Sequence, residues 1–307
     1  MKNKYQFVFC KVFIISGLKC KVVRCLAWLW SKIGHIFDDD TYLRVRFRLL
    51  MGKRLNLKDP QTFSEKLQWL KLFNRRPEYT TMVDKYAVKE YVAGIIGEEY
   101  VIPTLGVWDR PDDIDWDKLP KRFVLKTTHG GGSNGVVICK DKDSIDKEAA
   151  VRVLKKNMKT SDWRIGMEWP YKNVPHRIIA EQYIDPAPDM KDLADYKWYC
   201  FNGKPMFCQV IQNRTTHETI DFFDTEWNHQ EFVGLNSAYA GVYASQAAIT
   251  PIRPIDLDKQ VKIAKALSKG IPFSRIDLYS SNGRSYFGEI TFFPMSGIWL
   301  FHASEME

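Results

Sequence analysis

The sequence predicts an α+β fold of two lobes, and three features predict it. Strands pair with their chain neighbours through tight glycine-bearing turns, at 121–138, 195–212 and 273–292. Helical patterns stand apart from these hairpins, at 62–73, 84–96, 143–158 and 257–267. With 307 residues, 45% apolar and 27% charged, the chain is long enough for more than one core and too apolar for disorder.

The first segment is set apart by charge. The whole chain is +8, yet residues 1–60 hold thirteen Lys/Arg against four Asp/Glu, so this arm is +9 and the remainder is −1. A nucleic-acid enzyme carries its positive charge over the working face, so no nucleic acid is expected; a basic arm fits anionic lipid headgroups or a polyanion. Residues 5–34 are apolar but broken by Lys11, Lys19, Lys21, Arg24 and Lys32. No uncharged run reaches the roughly 18–20 residues that span a bilayer. Lys11 also interrupts any signal-peptide core, and no small-x-small cleavage site follows. The basic positions do not gather on one helical face. Two readings stay open, a helix packed on the body or peripheral membrane contact aided by Trp28 and Trp30. The six cysteines show no Cys-x-x-Cys pair and read as incidental thiols of a reducing cytoplasm. The expected location is cytoplasmic, with peripheral contact at the inner face of the cell membrane under the second of these readings.

Asp38-Asp-Asp40 marks a break before a basic helix from Tyr42 to about Lys53. Thr62-Phe-Ser-Glu65 has capping-box spacing, and Leu67, Leu70 and Phe73 follow as a helix face. The next helix is expected from Asp84 to Ile96, stopping at Gly97, and Val101 to Trp108 reads as a strand entering a loop. Phe123–Leu125 and Val136–Ile138 read as strands joined by a turn that contains Gly130, Gly131, Gly132, Ser133, Asn134 and Gly135. Such a turn presents unhindered N–H groups and suits a lid over phosphate oxygens, with Lys126 beside it. The plain alternative is a loose hairpin with a surface lysine. It is neither a Walker A loop nor a dinucleotide fingerprint, because no Gly-Lys-Ser/Thr follows and the next element is a strand.

Arg177 to Ile184 is expected as a strand ending in an acidic, proline-rich loop. Asp195 to Gln212 is a hairpin over Asn202-Gly203, Asp221 to Phe232 an edge or loop element, and Leu257–Leu267 a helix. The last hairpin carries the chemistry. With a three-residue loop, Asn282-Gly-Arg284, Asp277 lies opposite Glu289 and Arg275 opposite Thr291, all on one face. A two-residue loop puts the carboxylates on opposite faces. Two facing carboxylates repel unless a hard divalent cation such as Mg²⁺ sits between them; the plain alternative is a surface salt bridge with Arg275.

A glycine hairpin with a strand lysine, a strand ending Glu181-Gln-Tyr-Ile184, and Arg275-x-Asp277 followed by Gly288-Glu-x-Thr291 occur in one order. Across roughly residues 80–298 this order resembles the ATP-grasp superfamily of carboxylate–amine ligases. Thr62-Phe-Ser-Glu-Lys-Leu-Gln-Trp-Leu, Val83-Asp-Lys-Tyr and Phe123-Val-Leu-Lys-Thr-Thr-His-Gly look like the narrower teichuronopeptide-biosynthesis (TupA-like) family of bacterial surface-polysaccharide pathways. The resemblance implies an α+β ATP-grasp fold with ATP held between two antiparallel sheets. It divides the chain into an arm with lead helices (1–60), an N-terminal subdomain (61–120), an ATP-binding lobe (121–185) and a catalytic metal-binding lobe (186–307).

By that resemblance Lys85 and Lys126 hold ATP phosphates, and Gly130, Gly131, Gly132 and Ser133 close over them. Glu181 opens a hinge where backbone groups of Gln182 and Ile184 pair with adenine, and Lys197 faces the cleft. Asp277, Glu289 and Thr291 bind Mg²⁺, Arg275 steadies a developing oxyanion, and Ser296 lies near the substrate. Thr291 departs from the usual Asn, and the chain ends at Glu307 where a final helix is expected. The implied activity joins a carboxylate, activated by ATP–Mg²⁺, to an amine, with a small-molecule or lipid-linked saccharide as substrate. Two alternatives remain: a glycosyltransferase of the same pathways, for which the two-lysine set is less suited, and a non-catalytic nucleotide-binding protein. His129, Asp189, Trp163, Trp169 and Tyr171 are weaker candidates, for a phosphate, a ribose and a sugar ring.

Overall fold

The structure is a computed structural model that describes residues 18–131, 135–160, 163–188, 193–212, 218–236, 245–298 and 300–303. The first helix, α1 (Leu18–Ile33), packs on α2 (Asp39–Met51). The acidic triplet stands at the expected break between helices, where Asp38 is extended, and α2 opens at Asp39, three residues before the expected Tyr42. Asp38 caps it by accepting from the Thr41 N–H at 2.9 Å, and Asp39 and Asp40 occupy the positive end of the helix dipole. Tyr42, Leu43, Phe47, Leu55 and Leu57 form a small core with Met167, so α2 is docked on the body.

The capping box of α3 (Phe63–Phe73) is complete, with Thr62 and Glu65 each bonding the other's backbone. Its buried face differs from the expected one. Phe73 is 61% exposed, and the inward row is Ser64, Leu67, Gln68 and Lys71, the last two donating to carbonyls inside the protein. The helix expected to begin at Asp84 is displaced. A short α4 (Glu78–Val83) ends there, and α5 runs Val88–Ile96 to Gly97, at φ 106°. Between them the Asp84 carboxylate accepts from the Tyr86 N–H at 2.8 Å, while the Lys85 N–H donates to Thr128 O at 3.1 Å. Those bonds compete with helical ones and hold Lys85 out of both helices.

The next strands are β1 (Thr104–Trp108), β2 (Phe123–Thr127) and β3 (Val136–Cys139). After α6 (Lys147–Met158), capped by Asp146, and a short α7 (Trp163–Gly166), β4 (Ile178–Gln182) completes an antiparallel sheet ordered β1-β4-β2-β3. Alternation buries Phe123 and Leu125 against Leu154 of α6.

A second antiparallel sheet follows from β5 (Ala194–Phe201), β6 (Lys204–Gln212) and β7 (Thr219–Phe223). It also takes in β9 (Phe273–Ser281) and β10 (Arg284–Thr291), which come after β8 (Phe232–Asn236) and α8 (Leu257–Leu267). The order is β10-β9-β5-β6-β7, and β11 (Leu300–Ala303) pairs with β8 in a ribbon. Asn202 and Gly203 turn the β5–β6 hairpin at φ 49° and 73°, as the sequence predicts. The expected edge element is β7. Trp198, Cys200, Ile276, Leu278 and Ile290 bury one face of this sheet with Ile263, Ala264 and Leu267 of α8. The opposite face is left for polar side chains. Two sheets, each with its own helices and core, make the two lobes.

Candidate active site

The β9–β10 hairpin reaches the expected register by an unexpected route. Its turn is two residues, Asn282 and Gly283 at φ 52° and 72°, which alone places Asp277 and Glu289 on opposite faces. A bulge between Phe287 and Glu289 restores the parity, so Glu289 pairs with Asp277 and Thr291 with Arg275. The extra residue is Gly288. A Cβ there would stand 3.0 Å from the Asp277 carbonyl oxygen, so the bulge suits glycine.

The shared face is crowded with charge. Arg275 grips Asp277 through Nε to Oδ1 at 2.6 Å and Nη2 to Oδ2 at 2.7 Å, and its Nη2 also reaches Glu289 Oε1 and Thr291 Oγ1, each at 3.2 Å. Lys197 lies opposite Asp277 across β5 and β9, and its Nζ bonds Asp277 and, at 2.9 Å, Asp195. Burial pushes the Asp277 carboxyl above its ordinary value, with a smaller push from Glu289, while Arg275 and Lys197 pull it down. Burial also opposes the Glu289 charge, but Lys85 and Arg275 hold that carboxyl down at about 2. The conflict between facing carboxylates is therefore met by three cations.

The other sheet supplies the opposing wall. Burial resists the charge on Glu181, yet Lys126 and Lys89 hold it at about 2, with Nζ–O distances of 2.6 Å to its two oxygens. Lys85 spans the lobes: its Nζ bonds the Gly130 carbonyl and lies 3.8 Å from Glu289 Oε2. Gly131 is exposed beside it, whereas Gly132, Ser133 and Asp189 fall outside the described residues. The Gln182 N–H is held by Pro103 O at 3.0 Å, which narrows the adenine expectation to its carbonyl; Ile184 follows, half-buried. His129 stacks on His176 at 3.5 Å and its Nε2 meets Asn157 O, so it shapes the turn. Trp169 stacks on Tyr79, Tyr171 packs against the main core, and Trp163 packs in the α2 core, which are packing roles.

Ser296 sits in a strained turn in which Met295, Ser296 and Gly297 are all left-handed, at φ 48°, 56° and 63°. Its hydroxyl donates to Glu168 Oε1 at 2.6 Å. Its carbonyl accepts from Lys71 Nζ at 2.7 Å and Gln68 Nε2 at 3.2 Å, and Lys71 also donates to Gly166 O at 2.6 Å and Gln68 Oε1 at 3.0 Å. Burial pushes the Lys71 ammonium down to about 7, against the pull of Glu168. Lys71, Gln68, Glu168, Lys89 and Asp195 were missed in the sequence. Period reading assigns lysines to solvent, and no local motif joins Glu168 to Ser296. The only available signal was the polar inward row that follows the capping box of α3.

Opposed carboxylates on one sheet facing a glycine turn and lysines on the other define an ATP-grasp protein. Residues 65–307 match the family described as TupA-like ATPgrasp, and the chain belongs to it. No curated protein matches. Among solved structures it is similar to D-alanine–D-alanine ligase from Bacillus anthracis in complex with ATP, at 17% identity and TM-score 0.37, covering 69% of this chain and 54% of that one. The ligase from Helicobacter pylori gives 14% and 0.40, covering 76% and 63%. The ATP-grasp ligase PsnB with minimal precursor, Mg and ADP gives 13% and 0.37, covering 75% and 57%. The chain thus spans less than two thirds of the length of each.

Proposed function

We propose that the protein is an ATP–Mg²⁺-dependent carboxylate–amine ligase acting on a small-molecule or lipid-linked saccharide in bacterial surface-polysaccharide synthesis. The observation that carries this is Lys85, which bonds the glycine turn on one side and lies 3.8 Å from Glu289 on the other. A phosphate lysine at that point meets the lid and the metal carboxylate together.

The donor set fits Mg²⁺. Asp277, Glu289 and Thr291 offer hard oxygens on one face, and Glu289 keeps 28% side-chain exposure. No group of three His, Cys, Asp or Glu poised for a metal occurs among the described residues. Two carboxylates suffice for Mg²⁺, whose other ligands are phosphate oxygens and water. The ion supplies charge neutralisation for phosphoryl transfer.

This chain's residues do the rest. Lys85 and Lys126 neutralise phosphate oxygens, and the Gly130–Gly131 backbone covers them. A substrate carboxylate oxygen attacks the terminal phosphorus, the bond to ADP breaks, and an acyl-phosphate forms. Arg275 opposes the negative charge that builds on the acyl oxygen as the amine attacks. Phosphate departs with its electron pair, the nitrogen loses a proton, and an amide remains. Ser296 and Glu168 line the substrate side.

Incubation of the protein with ATP–Mg²⁺ and pairs of uronic acids and amino acids tests this, with ADP release and mass analysis as readouts. Amide product with stoichiometric ADP is expected. Release of UDP from UDP-sugars, or thermal stabilisation without any turnover, sinks the ligase reading.

A further inference from the structure

Among the described residues, part of the apolar surface of α1 has no cover. Ala27 is buried and Trp30 stacks on Tyr42, its Nε1 donating to Tyr42 O at 3.1 Å, so this side docks on α2. On the other side Val22, Leu26, Leu29 and Ile33 are 50%, 46%, 44% and 53% exposed. Their spacing of four, three and four puts them in one narrow stripe along a helix of 3.6 residues per turn. Past the helix end Ile36 and Phe37 are 73% and 46% exposed, and Phe37 stacks on Trp30.

Charge says what covers it. The helix Leu-Lys-Cys-Lys-Val-Val-Arg-Cys-Leu-Ala-Trp-Leu-Trp-Ser-Lys-Ile contains four basic residues and no acidic one. At 100° per residue Lys21 and Lys32 fall along one flank of the stripe and Lys19 along the other. Trp28, 60% exposed, lies on the same flank as Lys32, whose Nζ stands 5.8 Å over its ring. The carboxylates that follow the helix in the chain are engaged elsewhere: Asp38 caps α2, Asp40 pairs with Arg44 and Asp39 with Arg75. A second copy would oppose one basic helix to another, whereas anionic headgroups complement the flanks and acyl chains the stripe. No described helix is long and apolar enough to cross a membrane.

We propose that α1 is an in-plane anchor that holds the protein on an anionic bilayer surface, with Val22, Leu26, Leu29 and Ile33 inserted and the flanking lysines at the headgroups. The basic residues do not share one face, but an in-plane helix needs only some of them beside its apolar stripe: Lys19, Lys21 and Lys32 take those positions and Arg24 falls opposite.

The test is sedimentation of the full chain with two vesicle types, phosphatidylcholine alone and phosphatidylcholine with about one third phosphatidylglycerol. Binding to the anionic vesicles should be at least about tenfold stronger and should weaken with salt. The double variant Leu26→Ser/Leu29→Ser keeps every charge and alters only exposed side chains. It should melt like the parent and lose most of the pelleting, and the blue shift of Trp28 fluorescence on lipid should disappear with it. Equal pelleting on both vesicles, or pelleting that the variant retains, overturns the proposal. A lipid-free dimer that the variant dissociates shows that a second copy covers the face. A large drop in melting temperature shows that the chain itself covers it.

Discussion

Two regions of this protein bury lysines and hold them in opposite ways. In the cleft every cation meets a carboxylate: Lys126 and Lys89 share Glu181, Lys85 faces Glu289, and Lys197 joins Asp195 to Asp277. Beneath the Met295–Gly297 turn, Lys71 hydrogen-bonds to carbonyls and an amide and lies over the Phe293 ring, with Glu168 acting on it through charge but with no ion-pair contact. The difference shows in the protons. Lys126 is held above its ordinary value by Glu181 despite burial, whereas burial takes Lys71 down to about 7. An ion pair in a cleft can be exchanged for a phosphate or a metal without leaving a buried charge alone. A lysine locked to carbonyls cannot be recruited, and its work is to fix a strained backbone. On the proposed function the cleft exchanges partners, while the α3 junction holds position.

The sharpest way to break the comparison is Glu289→Gln. ADP release should fall at least about a hundredfold, or ~2.7 kcal/mol of transition-state stabilisation. Repulsion between facing carboxylates would make this variant more stable. The structure reverses that sign, because Lys85 and Arg275 hold Glu289 at about 2, below its ordinary 4.5. Its contribution is complete above about 4.5 and is lost as pH falls toward 2, so the variant should be less stable by roughly 1–3 kcal/mol at neutral pH. Full ADP release by Glu289→Gln would remove the metal from this hairpin.

Lys126→Ala tests exchange from the other wall. ATP–Mg²⁺ binding, read by titration, should weaken by about 1.5–3 kcal/mol as a charge-assisted contact is lost. Stability should drop by only about 1–2 kcal/mol, because Lys89 still holds Glu181 at 2.6 Å. A variant that binds ATP like the parent but unfolds early makes Lys126 structural.

Lys71 answers to pH instead of ATP. Its folded value of about 7 lies below the ordinary 10.5, so the unfolded chain binds more protons between them. Stability should rise with pH across that window by up to ~1.4 kcal/mol per unit. Lys71→Met should flatten the slope in denaturant titrations at several pH values and leave the ATP thermal shift in place. An unchanged slope would mean that Lys71 keeps an ordinary proton affinity.

These contrasts show which parts were legible in the sequence. Asn202-Gly203 and Asn282-Gly283 announce their hairpins locally, and Thr62-x-x-Glu65 announces its helix start, because each motif satisfies its own backbone. The facing of Asp277 and Glu289 was legible as an outcome but not as a cause. The lone Gly288 inside its strand was the one local hint of a bulge, but a three-residue loop accounts for the same facing without it. Lys71 and Glu168 were illegible because their partners are Ser296 and Gly166, far along the chain, and a hydrophobic period cannot register a polar side chain that turns inward. Lys85 was legible as a motif, yet a contact that holds it out of helix is its N–H bond to Thr128 on another element.

The smallest expected effect tests whether the two regions are independent. Thr62 accepts from the Glu65 N–H through its hydroxyl, and Glu65 returns the bond to the Thr62 N–H at 2.9 Å. Thr62→Ala removes the hydroxyl and leaves one N–H at the start of α3 short of a partner, which costs about 1 kcal/mol of stability. The helix carries Gln68 and Lys71 but none of the cleft cations. If position and exchange are separate, the variant should lose that small increment in denaturant unfolding while its melting temperature still rises with ATP–Mg²⁺ by the parent's amount. A diminished ATP shift would mean that loosening α3 reaches the cleft through the Met295–Gly297 turn, and the division between the two regions would fail.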